Sequence, residues 1–479
     1  MASETEQAYF VTRRAHWDGV ARSLRTWHGW GGAYLRRLVE IYSFLIPPGL
    51  RVLEIGCGTG DLLAGVKPRV GVGIDFSPEM VALARERHPE LTFIEADAHA
   101  LTLGGQTFDA IILSDTINDL WDVQKALEQI APYCTPATRI ILNYYSRLWE
   151  FPLAVAQALK LAKPNLRQNW LDVPDVHNLL YLAGFEPIRT WEEVLFPLPI
   201  PVLAPFLNRF VVRWFPFNLL ALTHLTLARP RPLAMRGTQP APTVSVIVPA
   251  RNEAGNIRAI FEQVPEIGAG TELIFVEGHS SDNTTSVIEE CLKEFPQRKA
   301  SLFHQTGKGK GDAVRLGFAE ASGDILMILD ADLTVPPSDL PRFFEALTSG
   351  RGEFINGVRL IYPMEKNAMR FFNYLGNKFF SSVFTWLLGQ PVKDTLCGTK
   401  VLWKRDYETI AANRHYFGDF DPFGDYDLLF GAAKLNLKIV DLPIRYRERT
   451  YGSTNIQRWK HGWLLLRMVW FAARRLKFV

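Results

Sequence analysis

The chain has 479 residues, of which 48% are hydrophobic and 22% charged, and its formal net charge is +3. This length exceeds what one hydrophobic core normally organises, so we expect two or three domains of ordinary globular composition. The small net charge and the lack of a Lys/Arg run argue against a nucleic-acid-binding function. Four widely spaced cysteines without a CxxC pair, and a polar, acidic N-terminus, predict a cytoplasmic protein without a structural zinc site.

The first half of the chain alternates short apolar strands with helical patterns. A Ser77-Pro-Glu sequence is a typical helix start signal. This alternation predicts a parallel sheet with helices on both faces. The predicted strands are 51–55, 70–74, 91–94, 110–113 and 139–142, and the predicted helices are 61–66 and 80–87.

A glycine-rich loop, Gly56-Cys-Gly-Thr-Gly60, follows the first predicted strand directly. Glycines allow a ligand to approach the backbone, and the next helix begins at once. The third glycine comes one residue too early for the GxGxxG dinucleotide fingerprint. Acidic residues accompany the loop: Glu54 lies inside the strand before it, while Asp75 and Asp97 end the next two strands. An acid at such a strand end accepts hydrogen bonds from ribose hydroxyls.

Together these motifs resemble the class I S-adenosylmethionine-dependent methyltransferases over about residues 30 to 190. The resemblance implies a Rossmann-like sheet and S-adenosyl-L-methionine as cofactor. Its implied contacts are Gly56, Gly58 and Gly60 with the methionine and ribose portion, Asp75 with the ribose, and Asp97 and Ala98 with the adenine, with Glu54 completing the set. The alternative is a generic doubly wound domain with an inactive pocket.

The methyl acceptor is less visible in the sequence. The segment 113–121 lies where this family places its acceptor, and it lacks the Asn/Asp-Pro-Pro-aromatic signature, which favours an oxygen or carbon acceptor. Tyr144, Tyr145 and His177 are candidate general bases, with packing roles as the alternative. The apolar segment 194–228 is broken by prolines and arginines, which argues against a spanning helix. It is either a lid for an apolar acceptor or a closing segment of the domain.

A proline-rich stretch at 229–242 predicts a stiff linker, after which strand patterns resume at 244–248, 273–276 and 325–329. The last of these strands ends in Asp330-Ala-Asp332. Two carboxylates at i and i+2 can approach one hard cation together, and such a cation bridges the diphosphate of a nucleotide sugar. We therefore expect Mg²⁺ or Mn²⁺ on Asp330 and Asp332.

The motifs around this pair resemble family 2 GT-A glycosyltransferases, and their order is similar to that of the polyprenyl-phosphate branch, which includes dolichyl-phosphate mannose synthases. The resemblance covers nearly all of residues 243 to 456. It rests on 244–253, 275–284, 307–313, 356–359, 394–400 and 442–453. It implies nucleoside or donor contacts from Pro249, Ala250, Asn252, Glu253 and Glu277, and phosphate-facing basic side chains at Arg359, Arg370, Lys400 and Arg449, with Asp332 in a catalytic role.

Two departures from that family pattern concern the donor. Glu277-Gly-His-Ser280 stands where Asp-Asp-Gly-Ser is usual, which leaves a GDP- or a UDP-sugar open, and Gly452-Ser-Thr-Asn455 lacks a usual lysine. A lipid phosphate is already ionised near neutral pH and needs no general base, since its second pKa is about 6. The acidic stretch 419–427 leaves a base-assisted hydroxyl acceptor as the alternative. Isolated surface ion pairs are the alternative role of the arginines.

Residues 456–479 are predicted to form one amphipathic helix. Trp459, Trp463, Leu466 and Trp470 fall on one face beside a row formed by Lys460, Arg467 and Arg474. Indoles beside basic residues favour a helix in the lipid headgroup region, and packing on its own domain is the alternative. A second aromatic cluster lies at 371–386.

The sequence thus predicts a two-domain α/β protein acting at the cytoplasmic membrane face as a peripheral, bifunctional enzyme. The predicted domains are a methyltransferase at 1–228, a linker at 229–242, a glycosyltransferase at 243–455 and a membrane-surface helix at 456–479. Its expected partners are a nucleotide-sugar donor and a polyprenyl-phosphate lipid. The alternative is a glycosyltransferase acting on a hydroxyl, with the first half as a non-catalytic binding or regulatory module.

Overall fold

The computed structural model describes residues 5–24, 32–158, 166–198, 200–232, 241–362, 371–416, 426–447, 449, 451 and 458–479. The chain divides into two compact units. One comprises Met1–Arg231 with Phe478–Val479, and the other comprises Pro232–Lys477. The boundary falls within the predicted linker, whose residues 233–240 lie outside the described part of the chain.

The first unit contains a seven-stranded sheet with the strand order β3-β2-β1-β4-β5-β7-β6. Strands β1 to β5 run parallel, whereas β7 is antiparallel to both β5 and β6. The strands are β1 (Arg51–Ile55), β2 (Val70–Asp75), β3 (Thr92–Glu95), β4 (Phe108–Ser114), β5 (Cys134–Tyr145), β6 (Phe185–Glu193) and β7 (Thr223–Pro230).

Helices of the first unit pack on this sheet, whose central strands are buried on both faces. The predicted start at Ser77 is confirmed, because its side chain accepts a hydrogen bond from the Met80 amide at 3.2 Å. The helices are α1 (Glu6–Leu24), α2 (Gly32–Leu45), α3 (Asp61–Gly65), α4 (Pro78–Arg87), α5 (Val123–Ile130), α6 (Glu150–Ala158), α7 (Val173–Leu182) and α8 (Leu203–Arg209).

The predicted strands of the first unit correspond to β1 to β5 and are parallel, as expected, whereas the sequence did not identify β6 and β7. Strands β6 and β7 pair antiparallel along their whole length, and β7 extends through Pro230. Helices α6 and α7 separate β5 from β6, and α8 separates β6 from β7, so the helices between these strands do not reveal that β7 runs antiparallel. The apolar run that precedes β7 in the sequence masks where this strand begins.

Residues between β6 and β7 form an insertion, which we call the apolar insertion (194–222). It contains α8 and two short 3₁₀ turns, Val211–Arg213 and Phe217–Leu220. Many of its large apolar side chains are exposed, with Val202 at 82% and Phe215 at 80%. None of its described residues lines the cavity of the first unit described below.

The second unit also contains a seven-stranded sheet, with the order β10-β9-β8-β11-β13-β12-β14. Here the exception to parallel pairing is β13, which is antiparallel to β11 and β12. The strands are β8 (Val244–Ala250), β9 (Thr271–Glu277), β10 (Ala300–His304), β11 (Ile325–Ile328), β12 (Phe354–Val358), β13 (Lys400–Trp403) and β14 (Ile439–Pro443).

Helices of this unit cover a core that runs along β8, β9 and β11. The chain is thus a two-domain α/β protein, as predicted. The helices are α9 (Ala254–Gln263), α10 (Thr284–Glu294), α11 (Lys310–Glu320), α12 (Leu340–Thr348), α13 (Phe371–Leu388), α14 (Lys404–Ala412), α15 (Tyr426–Lys434) and α16 (Arg458–Ala472).

The predicted tail helix is present as α16, followed by a wider π-helical turn at Ala473–Lys477. It buries Leu465 and Met468, while Trp463 is 67% and Trp470 58% exposed. The side chains of Trp459 and Lys460 lie outside the described part. One face of the helix therefore packs on its own unit, and the other leaves indoles uncovered. None of the described helices is long and apolar enough to cross a bilayer.

The second aromatic cluster is mostly internal. Phe384 and Phe380 are buried, whereas Phe379 is 54% exposed. The side chains of Phe371 and Phe372 lie outside the described residues. Trp386 is partly buried, so Phe379 is the most exposed of the described members.

Candidate active sites

The glycine loop of the first unit is a sharp turn between β1 and α3. Gly56, Gly58 and Gly60 have φ values of 69°, 50° and 73°, a backbone region that disfavours a side chain. A Cβ at Gly56 would meet Thr116 Oγ1 at 2.5 Å, whereas one at Gly58 would meet nothing within 4 Å. Gly58 therefore faces open space, and this is where a ligand can approach the backbone.

Asp75, at the end of β2, holds the loop in place. Its two carboxylate oxygens accept hydrogen bonds from the Gly58 and Ser77 amides, each at 2.9 Å. Burial raises the pKa of Asp75 to about 6, although these backbone donors pull in the opposite direction. Asp75 thus stands where the sequence placed the ribose acceptor, and it also supports the loop itself.

The other predicted cofactor residues differ in placement. Asp97 and Ala98 line the cavity, and Asp97 Oδ1 lies 2.6 Å from Nδ1 of His99. Partial burial acts to raise the pKa of Asp97, but the His99 hydrogen bonds outweigh it and the pKa is lowered. Glu54 does not line the cavity. It is 2% exposed, burial raises its pKa well above the usual range, and its Oε2 has no hydrogen-bond partner.

A cavity of about 260 Å³ opens at the carboxyl ends of the strands of the first unit. Gly56, Gly58 and Asp75 form part of its wall, and α1 supplies aromatic side chains, among them Trp17. Helix α1 is fastened there because Trp17 Nε1 donates to Asp119 Oδ2 at 2.6 Å. The sequence did not indicate this role, because α1 lies more than 30 residues before the glycine loop and the two line the same cavity only in the folded protein.

Asp115 also lines this cavity, in the turn that follows β4. Its Oδ1 accepts hydrogen bonds from the Tyr34 hydroxyl at 3.0 Å and from Asn143 Nδ2 at 2.6 Å. Burial raises the pKa of Asp115 to about 7, in spite of these two donors. The predicted acceptor segment 113–121 contains this residue, but the sequence did not distinguish it from its neighbours.

The three candidate bases occupy different environments. Tyr145 lines the cavity. Tyr144 is fully buried, lies 3.5 Å from Thr226 Oγ1 and has a raised pKa because of burial. His177 Nε2 lies 2.8 Å from Thr190 Oγ1, and burial lowers its pKa. Tyr144 and His177 are absent from the cavity wall, so their position agrees with packing roles.

The paired carboxylates of the second unit lie just beyond β11, and each faces a cationic side chain. Asp330 Oδ1 is 2.6 Å from Lys310 Nζ, and Asp332 Oδ2 is 2.6 Å from a guanidinium nitrogen of Arg449. The Lys310 charge contributes to lowering the pKa of Asp330 in spite of its burial. Carboxylate oxygens are the donors that Mg²⁺ and Mn²⁺ prefer, so the pair fits such a cation. Among the described residues, no larger group of His, Cys, Asp or Glu side chains is arranged to hold one.

Arg449 connects this pair to Glu253, which begins α9. The guanidinium lies 3.4 Å from Glu253 Oε1, and Asn256 Nδ2 donates to Glu253 Oε2 at 2.9 Å. Burial raises the pKa of Glu253 to about 7, and the neighbouring Asp332 adds to this while Arg449 opposes it. Arg449 therefore lies between two carboxyl groups, one of them a predicted metal ligand.

The predicted nucleoside residues form a connected edge at the ends of β8 and β9. Asn252 takes a positive φ of 57°, and its Oδ1 accepts from the Ser281 amide at 2.8 Å. Glu277 Oε1 accepts from the Ser280 amide at 2.5 Å, and the pKa of Glu277 is lowered because this bond and His304 outweigh its burial. Ala250 joins the same edge through its carbonyl, which accepts from Gly278 at 2.9 Å, and Pro249 precedes it. These polar groups lie together at the ends of two neighbouring strands, where they can contact a nucleoside.

Arg359 and Lys400 are more deeply engaged than the sequence predicts. Arg359 donates to both carboxylate oxygens of Asp394, at 2.7 and 2.9 Å. The guanidinium helps to hold the pKa of the buried Asp394 at about 2. Lys400 is fully buried, and its Nζ donates to the Cys397 carbonyl. Both cations nevertheless contribute to lowering the pKa of Asp330, so their charge acts on the site.

Several predicted residues lie outside the described part of the chain. They are Arg370, Asp419, Asp421, Asp425 and the segment 452–455. Asp427 is described, and it lies 3.5 Å from Arg315 and 3.3 Å from Arg414. The carboxylate of Asp427 is engaged in ion pairs with these two arginines, which disfavours it as a general base.

Comparison with known proteins gives a separate match for each unit. Residues 52–137 match the family "Methyltransferase domain", and residues 245–407 match "Glycosyl transferase family 2". The dolichol-phosphate mannosyltransferase of Pyrococcus furiosus is 27% identical over 221 residues, which are 45% of this chain and 59% of that protein. The undecaprenyl-phosphate 4-deoxy-4-formamido-L-arabinose transferase of Proteus mirabilis is 24% identical over 215 residues, 44% of this chain and 62% of that protein.

Solved structures also resemble each half. An S-adenosylmethionine-dependent methyltransferase from Mesorhizobium loti is 21% identical and covers 40% of this chain and 97% of its own, with a TM-score of 0.31. The glucosyl-3-phosphoglycerate synthase of Mycobacterium tuberculosis, solved with Mn²⁺ and uridine diphosphate, is 19% identical and covers 49% of this chain and 80% of its own, with a TM-score of 0.36.

Proposed function

We propose that the chain is a fused transferase whose methyltransferase domain and family 2 glycosyltransferase domain are both active. The second unit transfers a sugar, with inversion, from a GDP- or UDP-sugar to a polyprenyl-phosphate-type lipid. The first unit uses S-adenosyl-L-methionine to methylate an acceptor. The observation that carries the proposal is the carboxylate pair Asp330 and Asp332, enclosed by cationic side chains at the end of β11.

The donor end of the second unit is supported by that charge pattern. A divalent cation on Asp330 and Asp332 supplies the charge that stabilises a diphosphate leaving group. Asn252 and Glu277, at the neighbouring strand ends, face the nucleoside. Because Lys310 and Arg449 already contact the two carboxylates, both cations are in position to take up the phosphates once a metal ion binds.

A phosphate acceptor is supported by the same abundance of cations. A lipid monophosphate attacks without losing a proton first, so alignment by basic side chains suffices. Arg359 is held rigidly by Asp394, which suits a residue that fixes the position of an anion. The curated relatives named above act on dolichol phosphate and undecaprenyl phosphate by name. Asp427, a candidate base for a hydroxyl acceptor, is instead held by two arginines.

The first unit has the features that S-adenosyl-L-methionine requires. Gly58 faces open space, Asp75 stands at the end of the neighbouring strand, and Asp97 and Ala98 line the far wall of the cavity. When bound, the cofactor supplies an electrophilic methyl group. The chain contributes the glycine backbone for close approach and carboxylates for the ribose and adenine.

Contact with the cytoplasmic membrane face is supported by two exposed apolar surfaces. One is the outer face of α16 with Trp463, Leu466 and Trp470, where Arg474 lies 4.6 Å over the Trp470 ring. The other is the apolar insertion, which contains the exposed Arg209 and no acidic residue, whereas its Arg213 is paired with the buried Glu193. Exposed aromatic side chains beside arginine suit an anionic lipid surface.

Mass spectrometry of lipid products tests the proposal on the full chain. The protein is incubated with GDP- and UDP-sugars, polyprenyl phosphate and Mg²⁺ or Mn²⁺, with and without S-adenosyl-L-methionine. We expect a glycosylated polyprenyl phosphate whose formation stops when a chelator is added. Polyprenyl alcohol is the matched control acceptor. Transfer to the alcohol at a comparable rate would favour a hydroxyl acceptor instead.

A further inference from the structure

The cavity of the first unit has two chemically different ends. Strand order places β3, β2, β1 and β4 side by side, so Asp97, Asp75, the glycine loop and Asp115 follow one another along one edge. With about 4.8 Å between neighbouring strands, this edge is roughly 14 Å long. A ligand with its adenosine over β3 and β2 therefore places its methionine end beside β4. Asp115 is the ionisable side chain in the turn that immediately follows β4.

The protein holds Asp115 in a costly conformation. Its φ is 55°, a left-handed backbone that a non-glycine residue adopts at some cost, and burial adds the desolvation of its carboxyl group. A ring of polar groups orients the carboxyl. Tyr34 and Asn143 donate to Oδ1, and Tyr42 in turn donates to Asn143 Oδ1 at 2.7 Å. These hydrogen bonds to Oδ1 fix the orientation of the Asp115 side chain in the cavity wall.

We infer that Asp115 is the proton acceptor at the methyl-receiving end of this cavity, and that the substrate methylated there is a neutral group, such as a hydroxyl, that loses a proton on methylation. This inference rests on the proposed binding of S-adenosyl-L-methionine. Asp115 takes the proton while the acceptor oxygen bonds to the methyl carbon. The carbon–sulfur bond breaks, and its electron pair stays on sulfur.

The surroundings of Asp115 match this role. Its pKa of about 7, raised by burial, keeps a substantial fraction of the carboxylate ionised at neutral pH while leaving it basic enough to accept a proton. Among the described residues, the groups that face it are Tyr34 and Tyr42 from α2 and Tyr145 and Asn143 from β5. Asp119, which also acts on Tyr145, is paired with Arg13 at 3.1 Å. An anionic acceptor is disfavoured at this end, since none of the described cationic side chains pairs with the Asp115 carboxylate that it would meet.

Binding measurements test the position of the carboxylate without knowledge of the acceptor. Calorimetry on the full chain compares three ligands from pH 5.5 to 8.5, a range of roughly 1.5 units on either side of 7. They are S-adenosyl-L-methionine, the neutral S-adenosylhomocysteine, and sinefungin, in which an amine-bearing carbon replaces the methylated sulfur. We expect the preference for the two cationic ligands over S-adenosylhomocysteine to increase about tenfold as the pH rises through 7 and the Asp115 carboxyl ionises. Asp115→Asn should abolish this increase.

Asp97→Asn is the matched control, because it removes a carboxylate at the opposite end of the same cavity. It should weaken all three ligands alike and leave the pH-dependent preference unchanged. The inference would be overturned, while the cofactor assignment stands, if the wild-type preference for cationic ligands did not change with pH. It would also be overturned if Asp115→Asn kept the same increase of that preference with pH. Failure of all three ligands to bind the wild-type chain would instead overturn the proposed function. If Asp115→Asn does not fold, a wild-type preference that stays constant with pH still overturns the inference, and Asp75→Asn separates the contribution of Asp75, whose pKa of about 6 lies in the same range.

Discussion

The two candidate sites of this chain differ in the groups that they offer to a ligand. In the first unit, the binding surface is backbone: a loop held by Asp75 with Gly58 facing open space. In the second unit, the binding surface is charge, and Lys310 and Arg449 already neutralise the two carboxylates. A ligand of the first site adds contacts to a preformed edge, whereas a metal ion at the second must compete with side chains of the protein. Shape therefore governs the first site and electrostatics the second.

The largest expected effect comes from removing charge at the second site. Asp332→Asn should lower sugar transfer by about 10² to 10³-fold, because it weakens metal binding and releases Arg449. The affinity for S-adenosyl-L-methionine, measured by calorimetry, should not change. Asp324→Asn is the control, since this exposed residue lies at the other end of the same strand and binds Thr243. Transfer that withstands both Asp332→Asn and a chelator would contradict the metal role.

A second test asks whether one unit or both contact lipid. Trp463→Glu with Trp470→Glu should reduce binding to anionic vesicles at least about tenfold, since each indole loses its apolar burial. Phe206→Glu with Phe215→Glu should do the same for the apolar insertion. Vesicle sedimentation of the full chain measures both. Leu182→Glu, at an exposed leucine that belongs to neither surface, should have no effect. Unchanged sedimentation of either double variant would assign membrane contact to the other unit.

A backbone change should be sufficient to damage the first site. Gly58→Ala should weaken S-adenosyl-L-methionine binding about tenfold, because a side chain at a φ of 50° costs about 1–2 kcal/mol and enters the ligand space. Gly104→Ala is the matched control. Gly104 has a φ of 64° and open space around its Cβ, but it is not part of the cavity wall. Equal losses of affinity in both variants would mean that strain alone, and not ligand contact, explains the effect.

The smallest predicted effect concerns geometry at constant charge. Arg359→Lys keeps the positive charge but loses the two parallel bonds to Asp394. We expect sugar transfer to fall by roughly three- to tenfold, with little change in metal affinity. Initial rates at several metal concentrations separate the two quantities. A variant as active as the wild type would show that the second site requires charge alone.

The sequence predicts best what depends on local pattern. The apolar periods located β1, β2 and β11, and the residues at their ends, Asp75 and Asp330, stand at the predicted edges. Pairing partners are harder to foresee, because β6 and β7 are antiparallel although a helix, α8, lies between them in the sequence. The roles of Arg370, Glu54 and the other predicted contacts stay predictions.

What the sequence could not predict depends on contacts between distant residues. Lys310 and Arg449 meet Asp330 and Asp332 across 20 and 117 positions of the chain. The carboxyl of Asp115 accepts a hydrogen bond from Tyr34, which lies 81 positions earlier. No periodicity or spacing rule records such pairs, since each arises only when separate elements pack. For Asp115, the signal is a buried carboxyl of raised pKa in a cavity wall, and finding it requires coordinates.

The apolar insertion leaves and re-enters the sheet at a single point. The Leu222 amide donates to the Val194 carbonyl at 2.8 Å, and Thr223 pairs with Glu193 directly beside it. The segment is therefore a module on a closed base, but it also supplies Arg213, whose guanidinium lies 2.5 Å from the carboxylate of the buried Glu193 in β6. A short hairpin turn of two to five residues in its place would remove one cationic partner of that carboxylate together with the apolar surface, so replacing the module also requires a neutral residue at position 193.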